Sequence, residues 1–354
     1  IGVRLVGSEM CIRDRFITTY CDEYKIANIS VQAWGGEPLL EKNKIIALTK
    51  FITPQKTKVH YSIETNATLL TNDVIEELYK NHIGIGISID GDRKCHDLQR
   101  TFVSGKGSYD TVKKNLLQAQ RYYKNKIGTI TTITKQTAVH IEKIIEHLVL
   151  DLHISNIKLN FVHASTYTHG QNQCLNTQEI ADTELRILYK IIELQERGYD
   201  VMEHNIFIKL KNLLFREYAD ICLSCGCCGG EKMIVFDMDG NIYPCELTDD
   251  ASFVIGSIYK KESLIEQIKM TIDKDKAFFK MKKAVECEKC YWKFFCRGGC
   301  TVRALSEKRQ MEVIDIDHIE CAINQVLYPA LMELVLRKPH IVNQMLGEDL
   351  LVDE

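Results

Sequence analysis

The 354-residue sequence lacks the features that would place it in a membrane, outside the cell or on nucleic acid. It contains no apolar run long enough to cross a bilayer and no stretch that resembles a secretory leader. It also has no block of lysine and arginine, and its formal net charge is −3, so it offers no electrostatic footprint for nucleic acid or anionic lipid. We therefore expect a cytoplasmic protein with no nucleic-acid or membrane partner.

A starting methionine is also missing. Residues 1–15 read Ile-Gly-Val-Arg-Leu-Val-Gly-Ser-Glu-Met-Cys-Ile-Arg-Asp-Arg, and they resemble a translated sequencing adapter. We exclude this segment from the fold prediction, as one excludes an expression scar. The expectation is that the natural N-terminus has been lost and that Cys11 is not a ligand of any metal.

Cysteine, by contrast, is abundant and clustered. Ten of the fourteen cysteines lie between Cys222 and Cys321. Disulfides are the least favoured explanation, because they belong to oxidising compartments and mostly to small domains, whereas this chain can build a large core. Four thiolates hold either zinc or an iron–sulfur cluster, and the spacing alone does not choose between them.

Upstream of the cysteines, short β-branched runs alternate with longer amphipathic stretches. The predicted strands are Ile29–Trp34, Val59–Ile63, Ile83–Ile89, Gly128–Thr134 and Ile157–Val162. The predicted helices lie near Lys42–Phe51, Asp73–Asn81, Ser108–Tyr123, Val139–Leu150, Thr177–Glu196 and Val326–Leu346. Such alternation predicts an α/β fold with a parallel sheet and right-handed crossovers. Five units at this pitch favour a barrel or partial barrel, whose site lies at the carboxyl ends of the strands.

Polar residues follow the first three predicted strands at that edge. The segments are Trp34-Gly35-Gly36-Glu37-Pro38, Glu64-Thr65-Asn66-Ala67-Thr68-Leu69 and Ser88-Ile89-Asp90-Gly91. Each alone could be ordinary turn chemistry, but three in register indicate a site. Together with Arg100 and the Gly105–Tyr109 segment, they resemble the radical S-adenosylmethionine (radical SAM) enzymes.

The cysteine array resembles the SPASM domain, a C-terminal extension of one radical SAM subfamily. In that pattern a cysteine is followed after nine to fifteen residues by Gly-x4-Cys, then by Cys-x2-Cys-x5-Cys-x3-Cys and a last cysteine. Cys228, Gly240 and Cys245 fit the first part, and the later spacings fit as well. The resemblance implies a partial (β/α)6 TIM-like barrel at 16–217, a SPASM domain at 218–325 and a C-terminal helix and tail at 326–354.

The resemblance also implies two auxiliary [4Fe–4S] clusters. One would be held by Cys287, Cys290, Cys296 and Cys321. The other would be held by Cys245, Cys300, Cys222 and Cys228, with Cys225 and Cys227 as alternatives for the last two.

For SAM itself, the resemblance implies a second set of residues. Those carried over as cofactor-binding are Gly35, Gly36, Glu37, Pro38, Asn66, Ser88 and Arg100. A carboxylate and a backbone carbonyl suit the methionyl ammonium, and a guanidinium suits its carboxylate. Asn66 could instead simply shape its turn, and Ala67 stands where the family usually has glycine.

One part of the family pattern is absent. Radical SAM enzymes carry Cys-x3-Cys-x2-Cys after the first strand, and no such series occurs in this sequence. Cys21, Cys95 and Cys174 have no partners at that spacing, and we interpret them as buried or incidental thiols. We expect that the first strand–helix unit, which would carry the motif and a third, SAM-binding cluster, has been truncated. The polypeptide as given should then not cleave SAM.

For the intact protein, the resemblance implies a 5′-deoxyadenosyl radical that abstracts hydrogen from a peptide or protein, with flavodoxin or ferredoxin as electron donor. Two activities compete, namely crosslink or thioether formation in a ribosomal peptide and formylglycine formation in sulfatases. The sulfatase enzymes have an Asp base after the Gly-x4-Cys cysteine, where this chain has Glu246. Glu246 is a candidate base, but its side chain is one methylene longer than Asp, and this difference favours the peptide maturase. The alternative of another class is a non-enzymatic zinc-binding module.

Overall fold

The computed structural model describes residues 2–3, 10–52, 54, 56–124, 126–163, 171–215, 227, 229–230, 232–248, 251–260, 262–273, 284–306 and 316–347. The chain divides into two units. The first comprises Ile1–Ile87, Arg121–Tyr123 and Cys228–Met281. The second comprises Ser88–Gln120, Lys124–Cys227 and Lys282–Glu354.

Ten strands are described. They are β1 Gly2–Val3, β2 Asn28–Ala33, β3 Lys58–Thr65, β4 Ile83–Ser88, β5 Gly128–Ile133, β6 Asn156–Phe161, β7 Met202–Glu203, β8 Val235–Phe236, β9 Asn241–Tyr243 and β10 Gly256–Ser257.

The α-helices of the described residues alternate with the longer strands and then dominate the C-terminal part. They are α1 Met10–Glu23, α2 Lys42–Phe51, α3 Asn72–Lys80, α4 Arg93–Gln99, α5 Tyr109–Tyr123, α6 Lys135–Ala138, α7 Ile141–Glu146, α8 Thr177–Glu196, α9 His204–Phe215, α10 Leu264–Asp273, α11 Val285–Glu288, α12 Lys293–Cys296, α13 Thr301–Ser306, α14 His318–Arg337 and α15 Pro339–Leu346. Shorter turns of 3-10 helix occupy Pro38–Glu41, Gln171–Gln173 and Ala251–Phe253, and His147–Asp151 is a π-helix.

The first unit is built on parallel strands. β2, β3 and β4 pair in parallel, and β1 pairs in parallel with both β2 and β8. β9 continues this unit antiparallel to β8, and β10 is antiparallel to β9. The strands bury alternate apolar residues because successive side chains point to opposite faces. Ile17, Val31, Leu48 and Phe236 meet in one apolar cluster that helps to hold the helices on the sheet.

The second unit contains β5, β6 and β7, which pair in parallel, and most of the later helices. α8 packs against α7 and α14. α14 is the one helix of the described residues that is long and apolar enough to span a bilayer by length and composition. It buries Glu320 and Asn324 in hydrogen bonds with Lys209, which is the pattern of a helix inside a protein core.

The structure confirms the α/β class and all five predicted strands, with ends shifted by one or two residues. It divides two predicted helices. Val139–Leu150 becomes α7 followed by a π-helical turn, and Val326–Leu346 becomes α14 and α15 on either side of Lys338. The short strand β7 and the helix α9 had no sequence prediction. Strand β1 and the start of α1 lie within the residues interpreted as an adapter, and the predicted boundary at 217–218 falls outside the described residues.

Candidate functional site

The carboxylate of Glu37 links the turn that follows β2 to the end of β3 through hydrogen bonds. Gly35 and Gly36 have φ values of 89° and 53°, a left-handed turn that glycine adopts without strain. The turn presents Glu37, whose Oε1 accepts hydrogen bonds from the Leu39 N–H at 3.0 Å and from the Thr65 hydroxyl at 2.7 Å. Its Oε2 accepts from the Asn66 N–H at 2.8 Å. Glu37 thereby caps the 3-10 helix that starts at Pro38.

The turn after β3 is stabilised by its own side chains. Asn66 Oδ1 accepts from the N–H and the hydroxyl of Thr68, at 2.9 and 2.7 Å, so Asn66 shapes the turn. Ala67 stands at φ 58° and is fully buried, a left-handed conformation that costs a non-glycine residue about 1–2 kcal/mol. The Thr65 hydroxyl accepts from the Ala67 N–H at 3.0 Å while donating to Glu37. The loop is therefore held by Glu37 through Thr65.

In the second unit, Asp90 organises the segment that follows β4. Its carboxylate is 1% exposed and accepts from Arg100 Nε at 2.6 Å and from the Thr132 N–H at 2.8 Å. Gln99 Nε2 donates to the same carboxylate at 3.1 Å. The Arg100 side chain is 27% exposed, so it is oriented by Asp90 and keeps donors for a ligand. Ser88, the other predicted cofactor residue of this unit, is half-buried at the end of β4.

His96 also fixes the segment that contains Arg100, through its two ring nitrogens. Its Nδ1 accepts the Asp90 N–H at 3.2 Å, which leaves the proton on Nε2, 3.0 Å from the Ser108 hydroxyl. Ser108 in turn donates to the Arg100 carbonyl at 2.9 Å. Burial lowers the pKa of His96 to about 4, so the imidazole is neutral at physiological pH. Sequence reasoning missed Asp90 and His96 as organising residues of this segment.

Four cysteines of the second unit surround one cavity of about 130 Å³. They are the set predicted for one auxiliary cluster, Cys287, Cys290, Cys296 and Cys321. We call this the four-cysteine cavity. Cys287 lies in α11 and Cys296 ends α12, and Cys290 lies in the short link between these two single-turn helices. α14 contributes Cys321.

Aromatic, amide and charged side chains line the four-cysteine cavity, and the charged ones are Glu286, Lys293 and Asp317. Trp292 lines it and stacks on Tyr328 with ring centroids 5.3 Å apart. Cys290 Sγ accepts from the Trp292 N–H at 3.4 Å and from Gln325 Nε2 at 3.7 Å. Burial raises the pKa of Cys296 to about 11. A bound cation would therefore be needed to keep this buried sulfur as a thiolate.

The donor set fits an iron–sulfur cluster. Among the described residues, no group of three or more His, Cys, Asp or Glu is arranged around a point where a single metal ion would sit. Four thiols lining one cavity are the ligands that such a cluster requires. When bound, such a cluster would supply one-electron redox chemistry.

The other predicted cluster ligands are described only in part. Cys300 and Cys227 belong to the second unit, where they are close enough to interact electrostatically. Cys245 is buried in the first unit directly after β9, and Glu246 beside it is exposed. Cys222, Cys225 and Cys228 lie outside the described residues. The ligand set of this cluster, with Glu246 as a base, stays a prediction.

The remaining described cysteines are two buried thiols and one half-buried thiol. Cys21 is 1% exposed and Cys95 is 3% exposed, and burial raises the pKa of Cys95 to about 11. Cys174 is half-buried. Since the sequence has no Cys-x3-Cys-x2-Cys series, the residues present do not provide the three-thiolate site of a SAM-cleaving cluster.

Comparison with known proteins finds a family match in the N-terminal part of the chain. Residues 17–148 match the Radical SAM superfamily. A cysteine-type anaerobic sulfatase-maturating enzyme of Clostridium novyi is 27% identical over 75% of this chain and 71% of its own length. A serine-type anaerobic sulfatase-maturating enzyme of Bacteroides thetaiotaomicron is 24% identical over 81% and 72%. The radical SAM cyclopropyl synthase TigE of Paramaledivibacter caminithermalis is 23% identical over 86% and 60%.

Solved structures show the same fold. Native anSMEcpe with bound AdoMet and the Cp18Cys peptide matches 97% of this chain and 92% of its own with a TM-score of 0.81, at 19% identity. SuiB of Streptococcus suis bound to S-adenosylmethionine matches 88% and 70% with a TM-score of 0.61, at 17% identity. These matches confirm the radical SAM fold that the sequence predicted. These findings indicate an enzyme whose residues 17–148 match the Radical SAM superfamily and which is similar over most of its length to the anaerobic sulfatase-maturating enzymes.

Proposed function

We propose that the protein oxidises a side chain of a peptide or protein substrate and holds auxiliary iron–sulfur clusters for that reaction. The four-cysteine cavity carries the proposal, because a radical SAM domain alone needs no such cavity. Several curated relatives that resemble this chain over most of its length are anaerobic sulfatase-maturating enzymes, and a solved structure of anSMEcpe contains both AdoMet and a bound peptide. A zinc-binding module would have no use for the glycine turn at Gly35 and Gly36.

The chain's own residues would bind and orient the cofactor. In radical SAM chemistry, SAM removes a hydrogen atom from the substrate only together with a reduced cluster, and this sequence does not contain the three-cysteine series that holds that cluster. Glu37 has three of its acceptor positions taken by Leu39, Thr65 and Asn66, so at most one lone pair is left for the methionyl ammonium. The main work of Glu37 is then to fix the glycine turn, whose backbone carbonyls would be offered to the ammonium.

In the second unit, Arg100 would recognise a carboxylate. Asp90 takes Arg100 Nε and one Nη and leaves the rest of the guanidinium fork for a ligand. Ser88 would offer a hydroxyl to the same ligand. Both side chains belong to a segment whose backbone is fixed by Asp90 and His96, which reduces the entropy cost of binding.

Two substrate classes remain for this enzyme. Sulfatase maturation is favoured by the relatives, which include both the cysteine type and the serine type. Crosslink formation in a ribosomal peptide is favoured by Glu246, which stands where the sulfatase-maturating pattern has Asp and is exposed. A carboxylate one methylene longer moves its proton-accepting oxygens by more than an ångström, and misplacement on this scale can cost about 100-fold in rate.

The first experiment tests the metal. The protein is expressed and reconstituted anaerobically, and iron, sulfide and zinc are counted per chain, with Cys290→Ser as the variant and Cys95→Ser as the matched control. The proposal expects about eight irons in the wild type and about four fewer in Cys290→Ser. Cys95→Ser should match the wild type. About two zincs with negligible iron would instead indicate the zinc module.

The second experiment tests the substrate class by binding. Fluorescence anisotropy measures the affinity of the reconstituted protein for a labelled Cp18Cys peptide, with a scrambled peptide of the same composition as control. Saturable binding of the first peptide alone would support sulfatase maturation. Equal binding of both peptides, or binding of neither, would favour a different substrate, such as a ribosomal peptide that becomes crosslinked.

A further inference from the structure

We propose that Lys209 is a positioning residue for the cluster of the four-cysteine cavity and that its buried ammonium raises the reduction potential of that cluster. The inference rests on the proposed function, because it needs a cluster in the cavity. It concerns a residue on α9, outside the SPASM cysteine pattern. Neither the spacing of the cysteines nor their immediate neighbours points to it.

Lys209 is a lysine buried inside the second unit. Its side chain is only 2% exposed, and lysines are almost never fully buried without a partner. The ammonium donates to Glu320 Oε1 and to Asn324 Oδ1, the latter at 2.6 Å, and it lies 5.5 Å from the centre of the Tyr328 ring. Three separate interactions thus fix its position.

The Lys209 ammonium is close enough to a predicted cluster ligand to act on it electrostatically. Both Lys209 and its partner Glu320 interact electrostatically with Cys296. Asn324 bridges the two, because its side chain lines the cavity, hydrogen-bonds Cys296 and accepts from Lys209. A charge change at Lys209 is therefore transmitted to Cys296 both through space and through Asn324.

Lys209 is also the end of a buried row of alternating charges. Glu320 joins Lys209 to Arg303, whose Nη2 lies 3.3 Å from Glu320 Oε2 and donates to Asp317 Oδ2 at 2.7 Å. Asp317 accepts the Cys300 N–H at 2.7 Å. The row therefore runs Lys209, Glu320, Arg303, Asp317, and it ends at the Cys300 N–H.

This order of charges has an electrostatic consequence. Reduction adds one electron to a cluster, and a positive charge nearby favours the reduced form. The two anions of the row balance its two cations in number, but Coulomb energy falls with distance and grows as the local dielectric falls. Removing the Lys209 ammonium alone leaves one anion of the row uncompensated, so the electrostatic potential at Cys296 becomes more negative and reduction of a cluster bound there becomes less favourable. A purely structural ion pair would affect folding without shifting the potential.

The test measures the midpoint potential of the reconstituted, cluster-loaded protein by an EPR-monitored redox titration at fixed pH. Lys209→Met removes the charge at nearly constant volume, and Lys209→Arg retains it. Lys338→Met is the matched control, because it removes an exposed lysine of the same unit that pairs with Glu196.

The proposal expects Lys209→Met to lower the potential of one cluster by at least a tenfold change in the reduction equilibrium, or 59 mV for one electron. Lys209→Arg and Lys338→Met should stay at the wild-type value. A wild-type potential in an iron-loaded Lys209→Met protein overturns the proposal. A wild type that binds no iron instead contradicts the proposed function.

Loss of Lys209 could prevent folding, because Glu320 would lose its nearest cation. Glu320→Gln then takes its place, since it removes the anion and leaves the ammonium beside Cys296. The proposal expects a higher midpoint potential in this variant at equal iron content. An unchanged or lower potential overturns it.

Discussion

Replacing Glu184 by Gln should stabilise the protein at pH 8 much more than at pH 6. Glu184 is a buried carboxylate on α8, and burial together with the nearby carboxylate of Glu203 raises its pKa from 4.5 to about 8. Burial likewise raises the pKa of Glu203 to about 7. Between pH 6 and pH 8 the folded protein thus retains a proton that the unfolded chain has released.

The sign and the size follow from proton linkage. Because the folded state binds more protons than the unfolded state in this range, the free energy of unfolding falls as pH rises. The contribution of Glu184 is complete below the unfolded pKa and is lost as pH rises through the folded pKa. One pKa unit corresponds to about 1.4 kcal/mol. Because the titration of Glu184 levels off near pH 8, the free energy of unfolding falls by about 2 kcal/mol between pH 6 and pH 8.

Glutamine has the same shape without a proton to lose, so Glu184→Gln should abolish this loss. The assay compares apparent melting temperatures of wild type and variant in anaerobic buffers at both pH values. We expect the variant to gain about 4 °C more relative to the wild type at pH 8 than at pH 6. Effects of the amide that do not depend on pH cancel in this difference. Glu196→Gln, on the exposed face of the same helix, should show no such change, and an equal gain for Glu184→Gln at both pH values would refute the reasoning.

Three further predictions follow from other parts of the molecule. Asp90→Ala should lower the free energy of unfolding by about 3 kcal/mol in urea denaturation, because it leaves Arg100 and the Thr132 N–H without their buried acceptor; a loss below about 1 kcal/mol would show that water replaces the carboxylate. Gly240→Ala should cost about 2–4 kcal/mol in the same assay, since φ is 79° and the new Cβ would lie 2.7 Å from Ile258 Cγ1, and an unchanged denaturation midpoint would contradict this. The reconstituted chain as given should produce no 5′-deoxyadenosine from SAM with dithionite, as measured by mass spectrometry, because it has no Cys-x3-Cys-x2-Cys series; steady production would show that other thiols hold that cluster.

The strands and most helices could be predicted because their signals are local. Alternating β-branched residues mark β2 to β6, and the amphipathic period marks α2, α5 and α8. The two-residue strand β7 is too short to show a period of two. The π-helical turn at His147–Asp151 follows from the way this segment closes onto Leu152, which no sequence period reveals. The Pro329 position inside α14 argues against a helix on local rules, yet packing against α8 outweighs it.

The residues of the candidate site also differ in whether a local sequence signal could have predicted them. The glycine of the Gly-x4-Cys pattern can be explained from its backbone, since Gly240 has positive φ and lies against Ile258 and Tyr259. The role of Asp90 could have been suspected, because it follows a strand and precedes an arginine by ten residues. Lys209 could not, because its partner Glu320 is 111 residues away and no local pattern records so distant a contact.

The placement of Cys321 shows why both kinds of information are needed to build the four-cysteine cavity. Cys287, Cys290 and Cys296 are fixed within ten residues by two single helical turns, so their spacing alone describes their arrangement. Cys321 joins them only if α14 starts at the right place. Asp317 sets that start, because it caps α14 through the Glu320 N–H at 3.2 Å and accepts the Cys300 N–H at 2.7 Å. Asp317, which is not among the predicted cluster ligands, therefore couples the loop of one predicted cluster to a ligand of the other.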